Sequence, residues 1–423
     1  YGLTTFGSLF PPRQALYLLT LAKQVRFADD AMRTNDLNVE ERRAALLSYL
    51  GILLDRQADY DSSLCVWEAG GQFIKSTFTQ KGLPMAWDFV ELAPFGNASG
   101  SPSGALDWIT EVLEAEAGSG MPAVVHRGSA TAGPWPDGTF DAIVTDPPYY
   151  DNVPYSNIAD FFYVWLKRSV GERYRQHFAS QNTPKKNEAV ADATRHGGSR
   201  SKANTAYEEM MAESLREASR TLKPTGQIAL VYAHKTTLGW ATLVDALRRA
   251  GFTVTEAWPL DTERPGRVRA IESASLASSI FLVARKREGA SVGNYEEQVK
   301  GELEQIVRER VETLWAMGIS GADLVIACVG AGLRAFTRFA KVEYANGEEV
   351  PAERFLSEVE TVVLESILAR LSKEVGGNGG KYSLAGLDPE TRFYVLWRYT
   401  YMAAELDAGE AIIFANGTHV ELD

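Results

Sequence analysis

The stretch FDAIVTDPPYYDNVPYSNIADFFYVW, Phe140 to Trp165, decides how the rest of the chain is read. An apolar run from Phe140 to Val144 leads to a carboxylate, Asp146, and then to Pro147, Pro148, Tyr149 and Tyr150, all imino or aromatic. A chain that needed only a turn would place Gly or Asn there. The apolar run reads as a strand buried on both faces. The stiff corner therefore stands at a strand's carboxyl end, where parallel sheets bind their ligands.

Outward from this corner the pattern is regular. On the C-terminal side, Ala206 to Thr221 has helical periodicity and stops at LKPTG, where Pro224 and Gly226 break it. QIALVYAH (227–234) reads as another buried strand, and a helix from about Gly239 to Ala250 closes on Gly251. FTVTEAWPL (252–260) and SSIFLVARKRE (278–288) are two further strands. On the N-terminal side, PAVVHRGSA (122–130) is a short strand ending in a turn, preceded by a helix from about Ser103 to Ala117. Strands alternating with helices predict a mostly parallel sheet covered on both faces. The last two strands, with no helix between them, predict an antiparallel hairpin at one edge.

The flanks differ in texture. From Pro11 to about Asp59, Leu16, Leu19, Ala22, Val25 and Ala28, then Ala44 to Leu50, recur at helical spacing, and Pro11-Pro12 suits a helix start. Residues 60–104 are irregular. Beyond Gly289, residues 293–318 and 351–375 read as charged amphipathic helices. Between them, DLVIACVGAGLRAF (323–336) reads either as a strand, a Gly330-Ala331-Gly332 loop and a helix, or as tight helix packing. Three regions result: 1–80, helical; 81–290, the α/β core; and 291–423, mainly helical, with a boundary near 288–293.

A length of 423 residues exceeds one ordinary core and predicts two or three domains. Hydrophobic content of 45% against 23% charged residues is that of a soluble globular protein. No apolar run approaches the roughly 20 residues of a membrane span, and no secretory signal pattern opens the chain. Cys65 and Cys328 sit in apolar surroundings, which points to a reducing cytoplasm and excludes a disulfide framework. Five histidines without an HxxxH pair leave no metal-site pattern. A net charge of −12 argues against a surface that coats nucleic acid indiscriminately. It permits a local basic groove, because screening acts over about 8 to 10 Å.

Asp-Pro-Pro-Tyr, residues 146–149, resembles motif IV of the amino-methyltransferases, which use S-adenosyl-L-methionine to methylate an exocyclic or amide nitrogen. The residue types fit that chemistry. An aromatic amino group is a poor nucleophile because its lone pair is delocalised. A carboxylate (Asp146) and a carbonyl (Pro147) that accept its two hydrogens hold the nitrogen closer to tetrahedral, and the prolines fix the carbonyl's direction through φ. Tyr149 offers a face on which a base can stack, a contact worth about 1 to 3 kcal/mol. A base in a duplex reaches such a pocket only when flipped out.

TDPPYYDNVPYSNIADFFYVWLKR resembles the corresponding segment of the large prokaryotic DNA adenine methylases that carry a conserved domain of unknown function and often lie in anti-phage defence neighbourhoods. The opening YGLTTFGSLFPPRQ, WDFVELAPFGNASGSPSGALDWI (87–109), SASLASSIFLVARKR (273–287) and DPETRFYVLWRY (388–399) resemble that family too. The resemblance implies methyl transfer to N6 of adenine in DNA, on a Rossmann-like sheet of the S-adenosylmethionine-dependent kind. Asp146, Pro147, Pro148 and Tyr149 then match the catalytic motif. Ser129 stands where related enzymes place a polar residue near the cofactor adenine, unless it only ends a strand. Phe161 and Phe162 would line the cofactor or base pocket, or pack a core. Tyr150, Asp151, Asn152 and Tyr155 would shape the loop over the target base. The motif alone leaves cytosine N4 and RNA bases open as targets.

Between Glu172 and Ala203, seven Lys or Arg face three acids, which reads either as a mobile loop suited to phosphate contacts through Lys185, Lys186, Arg200 and Lys202 or as a solvated, disordered insertion. Arg264, Arg267 and Arg269 form a second basic group. Upstream of Asp146 no Gly-rich loop follows a strand to cradle the cofactor. The chain is therefore expected to be a fragment or one subunit of a split enzyme, lacking the first strands of the sheet. It should bind S-adenosyl-L-methionine weakly by itself, and its expected partners are DNA, the missing N-terminal part and other defence subunits. A catalytically silent assembly module is the alternative.

Overall fold

The computed structural model describes residues 4–33, 36–78, 86–96, 100–150, 153–232, 237–261, 278–319, 321–375 and 387–401, with 411, 415, 418 and 420 as isolated positions. They form a mixed α/β protein that divides into two compact units. One comprises Tyr1–His126 and Val153–Glu188, the other Arg127–Asn152 and Ala189–Asp423. This partition cuts through the 81–290 region and has no boundary near 288–293.

The first unit is helical, as its periodicity predicts. Pro12 opens α1 (Pro12–Ala31), where a missing N–H costs nothing. α2 (Leu37–Tyr60) packs against α1, a short hairpin pairs β1 (Val66–Glu68) with β2 (Phe73–Lys75), and α3 (Pro102–Glu116) and α4 (Tyr155–Ser169) complete the unit. The buried stripe of α1 runs through Leu18, Ala22 and Val25, whereas Leu16 and Leu19 are exposed. The apolar face is thus rotated slightly from the one expected.

The second unit is built on a four-stranded sheet in the order β3 (Phe140–Thr145), β4 (Leu222–Tyr232), β6 (Ser278–Lys286), β5 (Phe252–Asp261). α5 (Arg200–Thr221) connects β3 to β4, and α6 (Thr237–Arg249) connects β4 to β5. β3 and β4 are parallel, with Ala142 opposite Gln227 and Thr145 opposite Leu230. β6 is antiparallel to both β4 and β5. Three strands therefore share a direction, and β6 returns between two of them. The sheet is mixed because β6 runs against both neighbours, and β6 with the edge strand β5 forms the antiparallel pair at one edge that the sequence predicts.

The expectation of two covered faces is also corrected. The register places Ile228, Leu230 and Tyr232 of β4 on one face with Ala284, Leu282 and Ile280 of β6 and with Val254 and Ala257 of β5, and all of these are buried. On the opposite face Ala229, Val231, Phe281 and Val283 are only partly buried, and Val144 of β3 is 74% exposed. An apolar run does not distinguish one covered face from two when both faces carry apolar residues. The segment PAVVHRGSA forms no strand; only Ser129 makes an isolated bridge, to Ala132.

The C-terminal helices join this same core. β7 (Val292–Asn294) pairs in parallel with β8 (Lys341–Glu343), and around them lie α7 (Lys300–Ala316), α8 (Gly321–Thr337), α9 (Ala352–Val375) and α10 (Pro389–Tyr401). The Gly330-Ala331-Gly332 run lies inside α8, so of its two sequence readings helix packing holds. A Cβ on Gly330 would come within 2.4 Å of the Ala257 Cβ, and one on Gly332 within 2.8 Å of Val359 and 2.9 Å of Leu303. These glycines let α8 approach the sheet and two helices closely. Among the described residues no helix is long and apolar enough to cross a membrane.

Candidate active site

Asp146 follows directly on β3, so the Asp-Pro-Pro-Tyr corner lies at the carboxyl ends of the parallel pair β3 and β4. Two contacts fix the start of β3. Arg220, in the last turn of α5, donates to Glu217, to Asp137 at 2.5 Å and to the Trp135 carbonyl at 2.8 Å. Glu217 in turn accepts the Gly133 N–H at 2.8 Å. Arg220 first, and the Gly133 N–H second, hold the Glu217 carboxyl down to about 2. The turn before β3 is thus tied to the helix that leads into β4.

At the other end of β3, the Asp146 carboxylate is exposed and accepts a 2.5 Å hydrogen bond from the Tyr149 hydroxyl. The Tyr149 ring meets the Tyr232 ring edge to face at 5.3 Å, and Tyr232 meets Trp240 in the same way at 5.2 Å. Tyr232 is the last residue of β4, and its hydroxyl donates to the Gly239 carbonyl. Burial holds this phenol above its ordinary range, so it remains neutral. Tyr150 is buried with φ at +51°, a left-handed conformation that a bulky residue rarely adopts, and its carbonyl accepts the Ala191 N–H at 2.9 Å. The Pro148 carbonyl accepts a 2.7 Å bond from the buried Tyr207 of α5. Sequence reasoning missed Tyr207, Tyr232, Glu217 and Arg220. Of these, only Tyr232 carried a positional hint, as the last residue of the strand beside β3; Glu217 and Arg220 act at the opposite end of β3.

The other candidates scatter. Asp151, Asn152, Arg264, Arg267 and Arg269 lie outside the described residues. Ser129 is exposed and its hydroxyl is engaged in a local turn, accepting from the Thr131 N–H and bonding the Thr131 hydroxyl, which matches the turn reading. Phe161 and Phe162 belong to the helical unit. Phe161 is 1% exposed, stacked on Phe10 at 5.8 Å and edge-on to Phe78 at 5.0 Å, and Phe162 packs on both Phe161 and Phe78. Of the two readings for these rings, core packing describes both. Tyr155, exposed, opens α4 in the same unit.

The basic stretch is a structured segment with defined pairs, not a mobile loop. Lys185 donates to Asp160 at 2.7 Å and Arg173 pairs with Glu40 at 2.7 Å. Ser199 caps α5, which places the exposed Arg200 and Lys202 in its first turn, and Lys186 is exposed in the helical unit. Lys185 and Lys186 therefore belong to one compact unit, and Arg200 and Lys202 to the other.

The fit of S-adenosyl-L-methionine can be tested on these positions. Ser129 is spent on its own turn, Phe161 and Phe162 on a core, and Gly330 and Gly332 on helix packing. Within its own unit the Asp146–Tyr149 corner is assembled.

No protein-family model matches the chain, and no curated protein matches it. A solved structure of a Thermus thermophilus protein, provisionally named a DNA modification methylase, aligns with 60% of this chain and 97% of that one at 17% identity and a TM-score of 0.21. An alignment of that quality carries no argument, so the reading of the site rests on its own geometry.

Proposed function

We propose that this chain carries the amino-group-binding half of a DNA methyltransferase that modifies N6 of adenine, with S-adenosyl-L-methionine as the methyl donor. The observation that carries the reading is the Asp146 carboxylate, exposed at the end of a parallel strand pair and already holding an O–H donor at 2.5 Å. An exocyclic N–H is a donor of similar reach, so the target amino group takes the place of the Tyr149 hydroxyl on Asp146. Tyr207 occupies the Pro148 carbonyl, which leaves the Pro147 carbonyl, one residue earlier in the same rigid corner, as acceptor for the second amino hydrogen. Once its hydroxyl has left Asp146, the Tyr149 ring offers the base a stacking face. Ser129, Phe161, Phe162, Gly330 and Gly332 are engaged elsewhere and do not fit the donor.

Phosphate contacts fall to Lys186, Arg200 and Lys202, since Asp160 retains Lys185. Restriction-modification or anti-phage defence is the setting that the family resemblance implies. The test is incubation with duplex DNA and millimolar S-adenosyl-L-methionine, followed by nucleoside mass analysis. N6-methyladenine that disappears in Asp146→Ala supports the reading. N4-methylcytosine, or methylation of RNA only, changes the target, and retained DNA binding with no methylated base makes the chain a binding module.

A further inference from the structure

The corner is held from below by a residue that no motif marks. Tyr207 lies in α5, 59 residues beyond Pro148, and is 1% exposed. Its hydroxyl donates to the Pro148 carbonyl at 2.7 Å. Its ring stands edge to face against Tyr150 at 5.1 Å. One side chain thus fixes the peptide plane before Tyr149 and packs on the ring of the residue after it. These contacts bear on where the Tyr149 ring and hydroxyl lie, and the left-handed φ of Tyr150 is a conformation that persists only when its surroundings over-determine it. Burial raises the Tyr207 phenol above its ordinary range, which keeps the hydroxyl protonated and able to donate.

We infer that Tyr207 is the positioning residue of this site: without touching the substrate, it aims the Pro147–Tyr149 backbone, and with it Asp146 and Tyr149, at the amino group to be methylated. The inference rests on the amino-methyltransferase reading. It predicts that Tyr207→Phe, which keeps the ring and removes one oxygen, acts on turnover and not on DNA affinity. Losing one buried hydrogen bond to the corner lowers kcat about tenfold, while KM for DNA stays within twofold of the wild type. A merely structural role would instead lower Tm and leave the remaining folded enzyme at full kcat.

Two measurements on the full chain decide the matter. The first is methyl transfer to duplex DNA by wild type and Tyr207→Phe at saturating substrate, with Tm recorded for both. The second is hydrogen exchange at the Ala191 amide, which donates to the Tyr150 carbonyl at 2.9 Å and is expected to exchange about tenfold faster in the variant as the corner loosens, while the amides of Ile228 to Leu230 in β4 keep their rates. A kcat within twofold of the wild type overturns the inference, and so does unchanged exchange at Ala191. If the wild type transfers no methyl group yet Ala191 exchange accelerates in the variant, the functional reading fails and the anchoring of the corner stands.

Discussion

Replacing Lys185 with Met separates a structural lysine from a DNA-binding one. Asp160, with a side chain 8% exposed, accepts the Thr183 N–H at 2.8 Å, the Thr183 hydroxyl at 2.6 Å and the Lys185 ammonium at 2.7 Å. Burial alone would raise the Asp160 carboxyl, but the bonds from Lys185 and Thr183 outweigh it and hold the group below the ordinary carboxylate range. Breaking a fully buried pair costs about 3 to 5 kcal/mol. Here the Thr183 donors remain and the Lys185 side chain is 33% exposed, so the expected loss is about 2 kcal/mol. That corresponds to roughly 4 to 8 °C in Tm for a unit of this size.

The pH dependence follows from the sign of the shift. A carboxyl whose folded pKa is depressed contributes its stability above the unfolded value, about 4. That contribution is lost as pH falls through the folded value, so the gap between wild type and variant should be full at pH 7 and shrink below about pH 4. Thermal unfolding across pH measures it, and Asp160→Asn with the double variant gives the coupling. In a DNA titration across a salt series the variant should keep the wild-type slope. A phosphate-contacting lysine would instead reduce that slope by about 1. A reduced slope with unchanged Tm would refute the assignment of Lys185 to Asp160.

Three other substitutions probe different parts of the molecule. Gly330→Ala places a methyl group 2.4 Å from the Ala257 Cβ, so urea unfolding should register a loss of about 1 to 3 kcal/mol from overpacking, and a neutral result would mean that α8 does not seat on the sheet this closely. Burial, with the Asp59 charge adding to it, pushes the Asp55 carboxyl of α2 up to about 8. A carboxyl raised on folding favours the folded state fully below the unfolded value, near 4, and loses that advantage as pH rises through 8. Asp55→Asn should therefore match the wild type in Tm near pH 4 relative to its own baseline and gain on it steadily up to about pH 8; parallel Tm curves would count against the buried carboxyl. Tyr149→Phe removes the hydroxyl that caps Asp146, so KM for DNA should fall about fivefold, the equivalent of one hydrogen bond of about 1 kcal/mol. A raised KM would show that the hydroxyl helps to bind the base.

What the sequence by itself determined is local. Helical spacing located α1, α2, α3 and α6, and Pro224 and Gly251 marked where α5 and α6 stop, because these signals act between residues a few positions apart, although β4 starts at Leu222 and runs through LKPTG. The Asp146–Tyr149 corner was legible for the same reason: a carboxylate followed by two fixed φ angles and a ring is a local arrangement. Partnership across the chain was not legible. DLVIACVGAGLRAF left a strand-and-loop reading open beside helix packing, because a short apolar run does not reveal whether it will pair or coil; it lies in α8, packed against Ala257, Leu303 and Val359. Phe161 could be read as a pocket or a core residue, and the contacts with Phe10 and Phe78 are core contacts; Lys185 could be read as a phosphate ligand or a solvated charge, and its partner Asp160 lies 25 residues away. Likewise β6 paired with β4, and Tyr207 reached the Pro148 carbonyl, through contacts between residues distant along the chain. Such contacts exist only once the chain has closed on itself, so the tertiary structure alone decided how the corner is held.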